Sequence, residues 1–470
     1  MFLLSENAAS HERAVFDPHV GAWTTYGELR EQVAHVAARL GPPDPRLLIA
    51  LVSRGRLPDV VWYLGAISAG HAVMLCDSSM WPMHQRALLE AYRPDWIVGE
   101  VTPSRAPLDY RRGQADVCGQ PLLCREPAAH EALHPAHALL LSTSGSTGSR
   151  KYVSVSRHSI ESNAAAIASA LGISSDASAV MSVPLHYAYG LSVLNSHLCA
   201  GGSVALNPFS VIQPEFWELV HRTHARSMAG VPLTYQLLHR LDRSVIADSS
   251  IRVMTQAGGA LANDLVRAFH HLMNAVGGAF YVMYGQTEAT ARIAILDHAD
   301  IPAKLGSVGR VVPGGHLSVM RQGPPGADGE IVYAGANVML GYVERRSDLV
   351  AGDRLGGVLH TGDRGRLDDD GFLYVTGRTK RIAKVDGRRI SLDDIERLMP
   401  LEGDEYAAVS RDDKIHIFLV GGAGRFPEEI SRGLAKATGL RPATFQFTRI
   451  AQLPLTPNGK TDYQSLMELV

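Results

Sequence analysis

Residues 139–155 read LLLSTSGSTGSRKYVSV, an apolar run that gives way to hydroxyl-bearing and glycine residues and then meets Arg150 and Lys151. Such a stretch has little to pack into a core, yet it offers backbone N–H groups, two cations and the hydroxyls of Ser142, Thr143, Ser144, Ser146 and Thr147. Gly145 and Gly148 permit close backbone approach, so the chemistry that suits this composition is the binding of an anion with several oxygens, a phosphate chain above all. An ordinary solvated turn has the same composition. Spacing excludes two common phosphate loops. A Walker loop needs G-x-x-x-x-G-K-[ST], whereas Gly145 and Gly148 are three residues apart and Ser149 and Arg150 separate Gly148 from Lys151. A dinucleotide loop needs G-x-G-x-x-G, which this stretch lacks.

Further on, MYGQTEAT at 283–290 sets the hydroxyl of Thr287 beside the carboxylate of Glu288, a hard oxygen of the type Mg2+ prefers, although a surface acid reads the same. Asp363 lies in LHTGDRGRL, where Gly-Asp is also turn chemistry. Lys460 ends PLTPNGK, behind the turn formers Pro457, Asn458 and Gly459. In GRTKRIAKVDGRR at 377–389, Lys380 and Lys384 read equally well as solvated charges.

These residues need a scaffold. With 470 residues and 46% hydrophobic composition, the chain has enough apolar content for two or more cored domains. A formal net charge of −2 does not mark a nucleic acid or an anionic membrane as the partner. Cys76, Cys118, Cys124 and Cys199 form no C-x-x-C pair, and the 20 histidines include no H-E-x-x-H, so a disulfide framework and a compact metal site are not expected. The first residues, MFLLSENAASHERAVF, lack a basic region before an apolar core, and no segment approaches a membrane span. A soluble, cytoplasmic protein is expected.

Helical spacing of Leu29, Val33, Val36 and Leu40 predicts a helix over 26–40 that stops at Gly41-Pro42-Pro43. LLIALV and HAVMLC read as buried strands around a helical VVWYLGAISAG, and the alternation continues through AIASALGI, SVALNPFSV, FWELVHRTHA and RVMTQAGGAL. That pattern predicts an α/β fold of parallel sheets wrapped by helices, with ligands at the carboxyl ends of the strands. From about residue 301, HLSVM, EIVYAG and FLYVTG alternate as antiparallel strands or a small β-barrel. ISLDDIERLM predicts a helix capped by Ser391, and the last 80 or so residues predict a small α+β domain.

Six stretches occur in order: LSTSGSTGSRKYVSVS, QAGGAL at 256–261, MYGQTEAT, GEIVYAGANVMLGY at 329–342, LHTGDRGRLDDDGFLYVTGRTKRIAKVDGRRISLDDIE at 359–396, and PLTPNGK at 454–460. Together they resemble the adenylate-forming superfamily of acyl-CoA synthetases, nonribosomal adenylation domains and luciferases. The resemblance implies a domain over 1–379 that binds ATP and acid, and a mobile lid over 380–470 hinged at Lys380. It implies that Thr143, Ser144, Gly145, Ser146, Thr147, Gly148 and Lys151 handle the ATP phosphates. Lys151 is followed by Tyr152, where the family commonly has glycine. By the same resemblance, Gly258, Gly259 and Ala260 wall the adenine, Tyr284 stacks on it and Gly285 follows in the same motif. Thr287 contacts the α-phosphate, Glu288 holds Mg2+, Asp363 accepts from the ribose hydroxyls, and Arg378 is a second contact to ribose or phosphate. Lys460 bridges carboxylate and α-phosphate during adenylation, and Lys384 serves the second step.

The family stretch that enters the acid pocket corresponds to VPLHYAYGLSVLNSHL at 183–198. Where amino-acid-activating relatives place Asp, this chain has Tyr187. An ammonium there would be buried without a counter-charge, which disfavours a free amino acid as first substrate. Tyr187, Tyr189, Val231 and Met283 suggest an apolar pocket with a few hydroxyls, and Gly190 leaves room. The resemblance implies an ATP- and Mg2+-dependent ligase that forms an acyl-adenylate from an aryl, cyclic or medium-sized acid. The acyl group then passes to a thiol, of CoA or of a carrier protein's phosphopantetheine. Transfer to an amino acid or amine, as in coronafacic-acid ligases, is the alternative.

Overall fold

The computed structural model describes residues 1–79, 81–99, 109–113, 119–126, 131–142, 151–320, 328–378, 381–385, 388–399, 405–421, 427–438, 440–456 and 460–470. It is a mixed α/β protein that divides into two compact units. One comprises Met1–Thr143, Arg150–His316 and Tyr333–Leu359; the other is built from Leu317–Val332 and His360–Val470.

The first helix shows how local sequence sets the elements. Tyr26–Leu40 begins at a reciprocal cap: Glu28 N donates to Thr25 Oγ1 at 3.3 Å, and Thr25 N donates to Glu28 Oε2 at 2.8 Å. Its buried stripe is Tyr26, Leu29, Val33, Val36 and Leu40, as the 3.6-residue period requires. The next two strands, Leu48–Ser53 and Ala72–Asp77, pair in parallel and are joined by the helix Leu57–Ser68. Every residue of Leu48–Ser53 is buried, the expected state of a strand covered on both faces.

Two large sheets organise the first unit. The eight-stranded sheet runs in the order Gly341–Val343, Tyr152–Val155, Leu139–Ser142, Ala72–Asp77, Leu48–Ser53, Trp96–Val98, Leu122–Arg125, Tyr110–Arg112, parallel at its centre and antiparallel at its edges. The nine-stranded sheet runs Arg310–Val311, Ala294–Leu296, Ala279–Tyr284, Val253–Gln256, Ser227–Gly230, Ser178–Val180, Ser203–Ala205, Arg13–Asp17, Ala22–Thr25. Its six central strands are parallel.

In the second unit the alternating segments form a four-stranded sheet of His316–Met320, Gly329–Ala334, Val358–Leu367 and Leu373–Arg378, the last pair antiparallel. A two-stranded ribbon, Ile382–Val385 with Arg388–Ser391, leads into the helix Leu392–Arg397. Three strands, Glu405–Arg411, Lys414–Val420 and Phe445–Arg449, pack with the helices Pro427–Thr438 and Tyr463–Glu468 around Val385, Ile395, Ile415, Ile417 and Leu434 on one side and Val409, Phe418 and Leu466 on another. Thr379 and Lys380, the expected boundary, lie outside the described residues. Among the described residues no helix is long and apolar enough to cross a membrane.

Candidate active site

The strand Ala279–Tyr284 runs parallel to Val253–Gln256 and antiparallel to Ala294–Leu296, with Met283 opposite Ile295 and Tyr284 opposite Ala294. The turn that carries the MYGQTEAT residues therefore leaves the carboxyl end of a parallel strand and doubles back, the position where open α/β sheets bind ligands. Gly285 is required for the reversal, because a Cβ there would lie 1.8 Å from the Ala291 carbonyl oxygen. Thr290 and Ala291 adopt φ of 55° and 125°, the left-handed region that non-glycine residues avoid, at about 1–3 kcal/mol each. Asn337 holds them there. Its Nδ2 donates to Ala289 O at 2.8 Å and to Arg292 O at 3.0 Å, and its carbonyl accepts from Thr290 Oγ1 at 2.6 Å. Tyr333 OH in turn donates to Asn337 Oδ1 at 2.6 Å.

Within this turn Thr287 and Glu288 lie on a short 3-10 helix, both half-buried. Glu288 Oε1 accepts from Tyr342 OH at 2.7 Å, and the Lys151 ammonium sits 3.4 Å above the centre of the same tyrosine ring. Burial and the adjacent Glu288 carboxylate both push the Tyr342 phenol up, so it stays a donor. A cation, a π face, a phenol and a carboxylate are thereby linked in one line. Sequence reasoning placed Lys151 and Glu288 here but missed Tyr342 and Asn337, both within GEIVYAGANVMLGY. Tyr342 reaches Lys151 because Gly341–Val343 pairs antiparallel with Tyr152–Val155, placing Tyr342 opposite Val153. Lys151 and Tyr342 also line a polar cavity of about 460 Å3 with Arg345, Asp348 and Arg354.

The residues expected to face the acid do gather. Val183, Tyr189, Ala229, Ala257 and Met283 form a buried apolar cluster against which Tyr187 and Val231 pack. Gly190 has a packing reason: a Cβ would meet Pro184 O at 2.1 Å and Val183 O at 2.5 Å, so the start of the helix Ala188–Ala200 fits only without a side chain. Burial pushes the Tyr187 phenol up to about 12. Its neighbour His186 turns Nε2 toward Asp77 Oδ2 at 3.5 Å, while burial pulls its pKa down. Arg292 ends the turn, 2% exposed, with its guanidinium 4.6 Å from the Tyr189 ring centre and Nη2 donating to Ser192 Oγ at 3.1 Å. Burial pulls its pKa down, and among the described residues no carboxylate pairs with it. An uncompensated buried charge costs several kcal/mol.

Gly258, Gly259 and Ala260, expected to wall the adenine, follow the strand Val253–Gln256; Gly258 is half-buried, the other two exposed, and Gln256 Nε2 donates to Gly259 O at 2.8 Å. Thr143 to Gly148 of the phosphate loop lie outside the described residues.

In the second unit, Asp363 and Arg378 stand opposite each other in the antiparallel register, and Arg378 Nε meets Asp363 Oδ1 at 3.1 Å. Asp363 is buried, whereas Arg378 is exposed. Lys460 closes a small loop: Thr456 N donates to Lys460 O at 2.7 Å, and Lys460 N donates to Thr456 Oγ1 at 3.2 Å. Lys384 lies on the ribbon strand Ile382–Val385 opposite Arg389. Arg381, which follows the expected hinge residue Lys380, donates from Nη2 to Glu396 Oε1 at 2.7 Å and stacks 3.8 Å from the Tyr463 ring centre, with Tyr463 OH donating to Glu396 Oε2 at 3.1 Å. That cluster fixes the C-terminal helix, three residues after Lys460, to the start of the ribbon.

A family profile described as AMP-binding enzyme matches residues 4–343. A feruloyl-CoA synthase from Amycolatopsis sp is 30% identical over 426 residues, covering 83% of this chain and 81% of that protein. A 2-succinylbenzoate–CoA ligase from Bacillus cereus is 28% identical over 347 residues, 70% of each chain. The O-succinylbenzoate CoA synthetase from Bacillus subtilis, solved with ATP and magnesium ion, superposes with a TM-score of 0.74 at 22% identity over 97% of both chains. ATP-bound MatB from Rhodopseudomonas palustris does so with a TM-score of 0.78 at 22% identity over 99% of this chain and 97% of that one. The six ordered motifs, the two units and the relatives converge: this chain belongs to the AMP-binding enzyme family and is an adenylate-forming ligase.

Proposed function

We propose that the enzyme is an acid–thiol ligase that uses ATP and Mg2+ to convert a non-amino aryl, cyclic or medium-sized carboxylic acid to its acyl-adenylate and pyrophosphate, and then passes the acyl group to CoA or a carrier-protein phosphopantetheine. The line from Lys151 through Tyr342 to Glu288 carries the reading, because it joins a cation for phosphate oxygens to a hard carboxylate oxygen for a metal. The relatives named for CoA ligation support the thiol acceptor.

The residues fit Mg2+ and ATP. Mg2+ is commonly held by one or two carboxylates plus substrate phosphates, and Glu288 keeps Oε2 without a hydrogen bond among the described residues while Tyr342 orients Oε1. When bound, ATP with Mg2+ supplies the electrophilic phosphorus. Thr287 donates a hydrogen bond to the α-phosphate, and Lys151 attracts the leaving pyrophosphate. Tyr284, with Gly258, Gly259 and Ala260, borders the base. Asp363 accepts from the ribose hydroxyls, its position set by Arg378. Lys460 neutralises the charge where carboxylate and phosphate meet. After adenylation, residues 380–470 turn about Lys380 and bring Lys384 to the thiol step. Tyr187 without a carboxylate, and the cation Arg292 next to Tyr189, both disfavour a substrate ammonium. We place the reaction in the cytoplasm.

Pyrophosphate release with ATP and Mg2+ across aryl, cyclic and medium-chain acids, without acceptor, with CoA and with amino acids, tests this reading. One acid should raise release, and CoA should accelerate it. Acceleration by an amino acid alone would replace the thiol by an amine.

A further inference from the structure

We infer that Arg292 is a specificity-determining residue that receives a second carboxylate of the acid, so that the preferred substrates carry a carboxylate at each end. The inference rests on the acid-ligase reading above and narrows its substrate class.

Arg292 is 2% exposed and its Nε is buried without a hydrogen-bond partner. Among the described residues, the groups around the guanidinium bring no formal negative charge. Ser192 Oγ donates its proton to Tyr189 O at 2.6 Å and so offers Arg292 Nη2 only a lone pair. Tyr189 offers its ring face, while its hydroxyl donates to Thr255 O at 2.8 Å. A guanidinium stays protonated in proteins, so this charge cannot be discarded as a lysine or histidine would discard it. Charges buried in proteins are paired, and the partner this one lacks among the described residues is an anion.

Position says where that anion comes from. Arg292 ends the turn whose other end carries Thr287 and Glu288, and the ring it touches belongs to the apolar cluster of Tyr189, Met283, Tyr187 and Val231. An acid with one carboxylate directed at Thr287 and its body against that cluster would direct its far end toward Arg292. The planar fork of the guanidinium suits a carboxylate. A competing explanation is also at hand. Asn163 donates from Nδ2 to Arg292 O at 3.1 Å and its Oδ1 is likewise buried without a partner among the described residues, and ordered water can satisfy buried polar atoms of this kind while leaving the charge unpaired. An arginine satisfied by water would be indifferent to the far end of the substrate.

The two are separated by measuring pyrophosphate release on glutarate, adipate, terephthalate and 4-carboxyphenylacetate, each against its monomethyl ester, which keeps the carbon skeleton and removes one charge. The wild type should favour at least one diacid over its half-ester by about 100-fold in kcat/KM. Arg292→Met should erase that preference, and Arg292→Lys should restore part of it. Equal use of diacids and half-esters by the wild type, with Arg292→Met changing neither, overturns the inference and leaves the ligase reading intact. If Arg292→Met does not fold, the wild-type ratio alone decides. If none of the acids releases pyrophosphate, thermal stabilisation of the wild type by the same compounds decides: stabilisation by a diacid and not by its half-ester upholds the inference, and its absence overturns it. The ligase reading fails separately, if ATP with Mg2+ neither stabilises the protein nor yields an adenylate with any acid.

Discussion

Arg346 and Arg292 are exposed by 3% and 2%, yet among the described residues the first faces two carboxylates and the second faces none. Arg346 Nη2 meets Asp95 Oδ2 at 3.0 Å, Nη1 donates to Arg93 O at 2.8 Å, and Nε lies 3.6 Å from Glu131 Oε2, a charge contact rather than a hydrogen bond. Asp95 also accepts from Leu48 N at 2.8 Å, so the pair pins the first residue of a central strand. Arg292 has a hydroxyl, a ring face and an unpartnered Nε. Arg346 Nε also lacks a hydrogen-bond partner among the described residues, so what separates the two is charge: Arg346 belongs to the scaffold, with carboxylates beside it. The other sits at the candidate acid pocket, with its charge balance left open. Near-complete burial by itself does not separate the two roles; what the chain supplies around the charge does.

The largest effect should come from the scaffold side. Arg346→Met leaves Asp95 buried without its cation and should lower stability by about 3–5 kcal/mol in urea unfolding. A loss under 1 kcal/mol would erase the distinction. Next is a buried base that meets the same difficulty by giving up its proton. His197 lies on the helix that bears Ser192; its Nδ1 is 2.8 Å from Val193 O, so Nδ1 carries the hydrogen, and Nε2 faces Ser227 Oγ at 3.3 Å. Burial pulls its pKa from 6.5 down to about 4. Because the unfolded chain binds the proton more readily, this group's stabilisation is complete above pH 6.5 and is lost as the pH falls toward 4, by about 3 kcal/mol at most. His197→Phe should flatten that window in a pH series of unfolding midpoints.

Smaller still, Arg292→Met removes an uncompensated charge and should raise stability by about 1 kcal/mol, opposite in sign to Arg346→Met. A loss as large as that of Arg346→Met would make Arg292 structural. The smallest effect tests the other cation over a tyrosine. Tyr342 passes the Lys151 contact on to Glu288, whereas the Tyr189 hydroxyl ends on Thr255. Tyr342→Phe keeps the ring and loses the hydrogen bond, so the Mg2+ concentration for half-maximal adenylation should rise about fivefold, with maximal rate little changed. An unchanged Mg2+ requirement would detach Tyr342 from the metal site.

Much of the scaffold was legible because it is written locally. The helix 26–40 announces itself through a 3.6-residue stripe and a stop at Gly41-Pro42-Pro43, and the central strands through unbroken apolar runs. The motif residues were found by their order along the chain. Tyr342 and Asn337 lie inside one recognised stretch and Arg292 just past another, yet nothing local says what each of them touches. Tyr342 meets Lys151 only through the pairing of Gly341–Val343 with Tyr152–Val155, and Arg292 meets Tyr189 only through packing across about a hundred residues of chain. Gly190, read as leaving room for substrate, also has a packing role, since its bareness allows the close approach of Val183 and Pro184. Register and packing are long-range facts, so residues whose work depends on them leave no local signature.

The Asn337 clasp has a practical side for anyone seeking to retarget this ligase. Since one amide ties Ala289 O and Arg292 O together and Gly285 admits no side chain, positions 285–292 behave as a single stiff part. A combinatorial library that randomises 292 with 189 and 192 while holding 285, 337 and 333 constant would explore new acids without disturbing Thr287 and Glu288. One that also frees 337 would mostly harvest inactive clones whose failure says nothing about substrate choice.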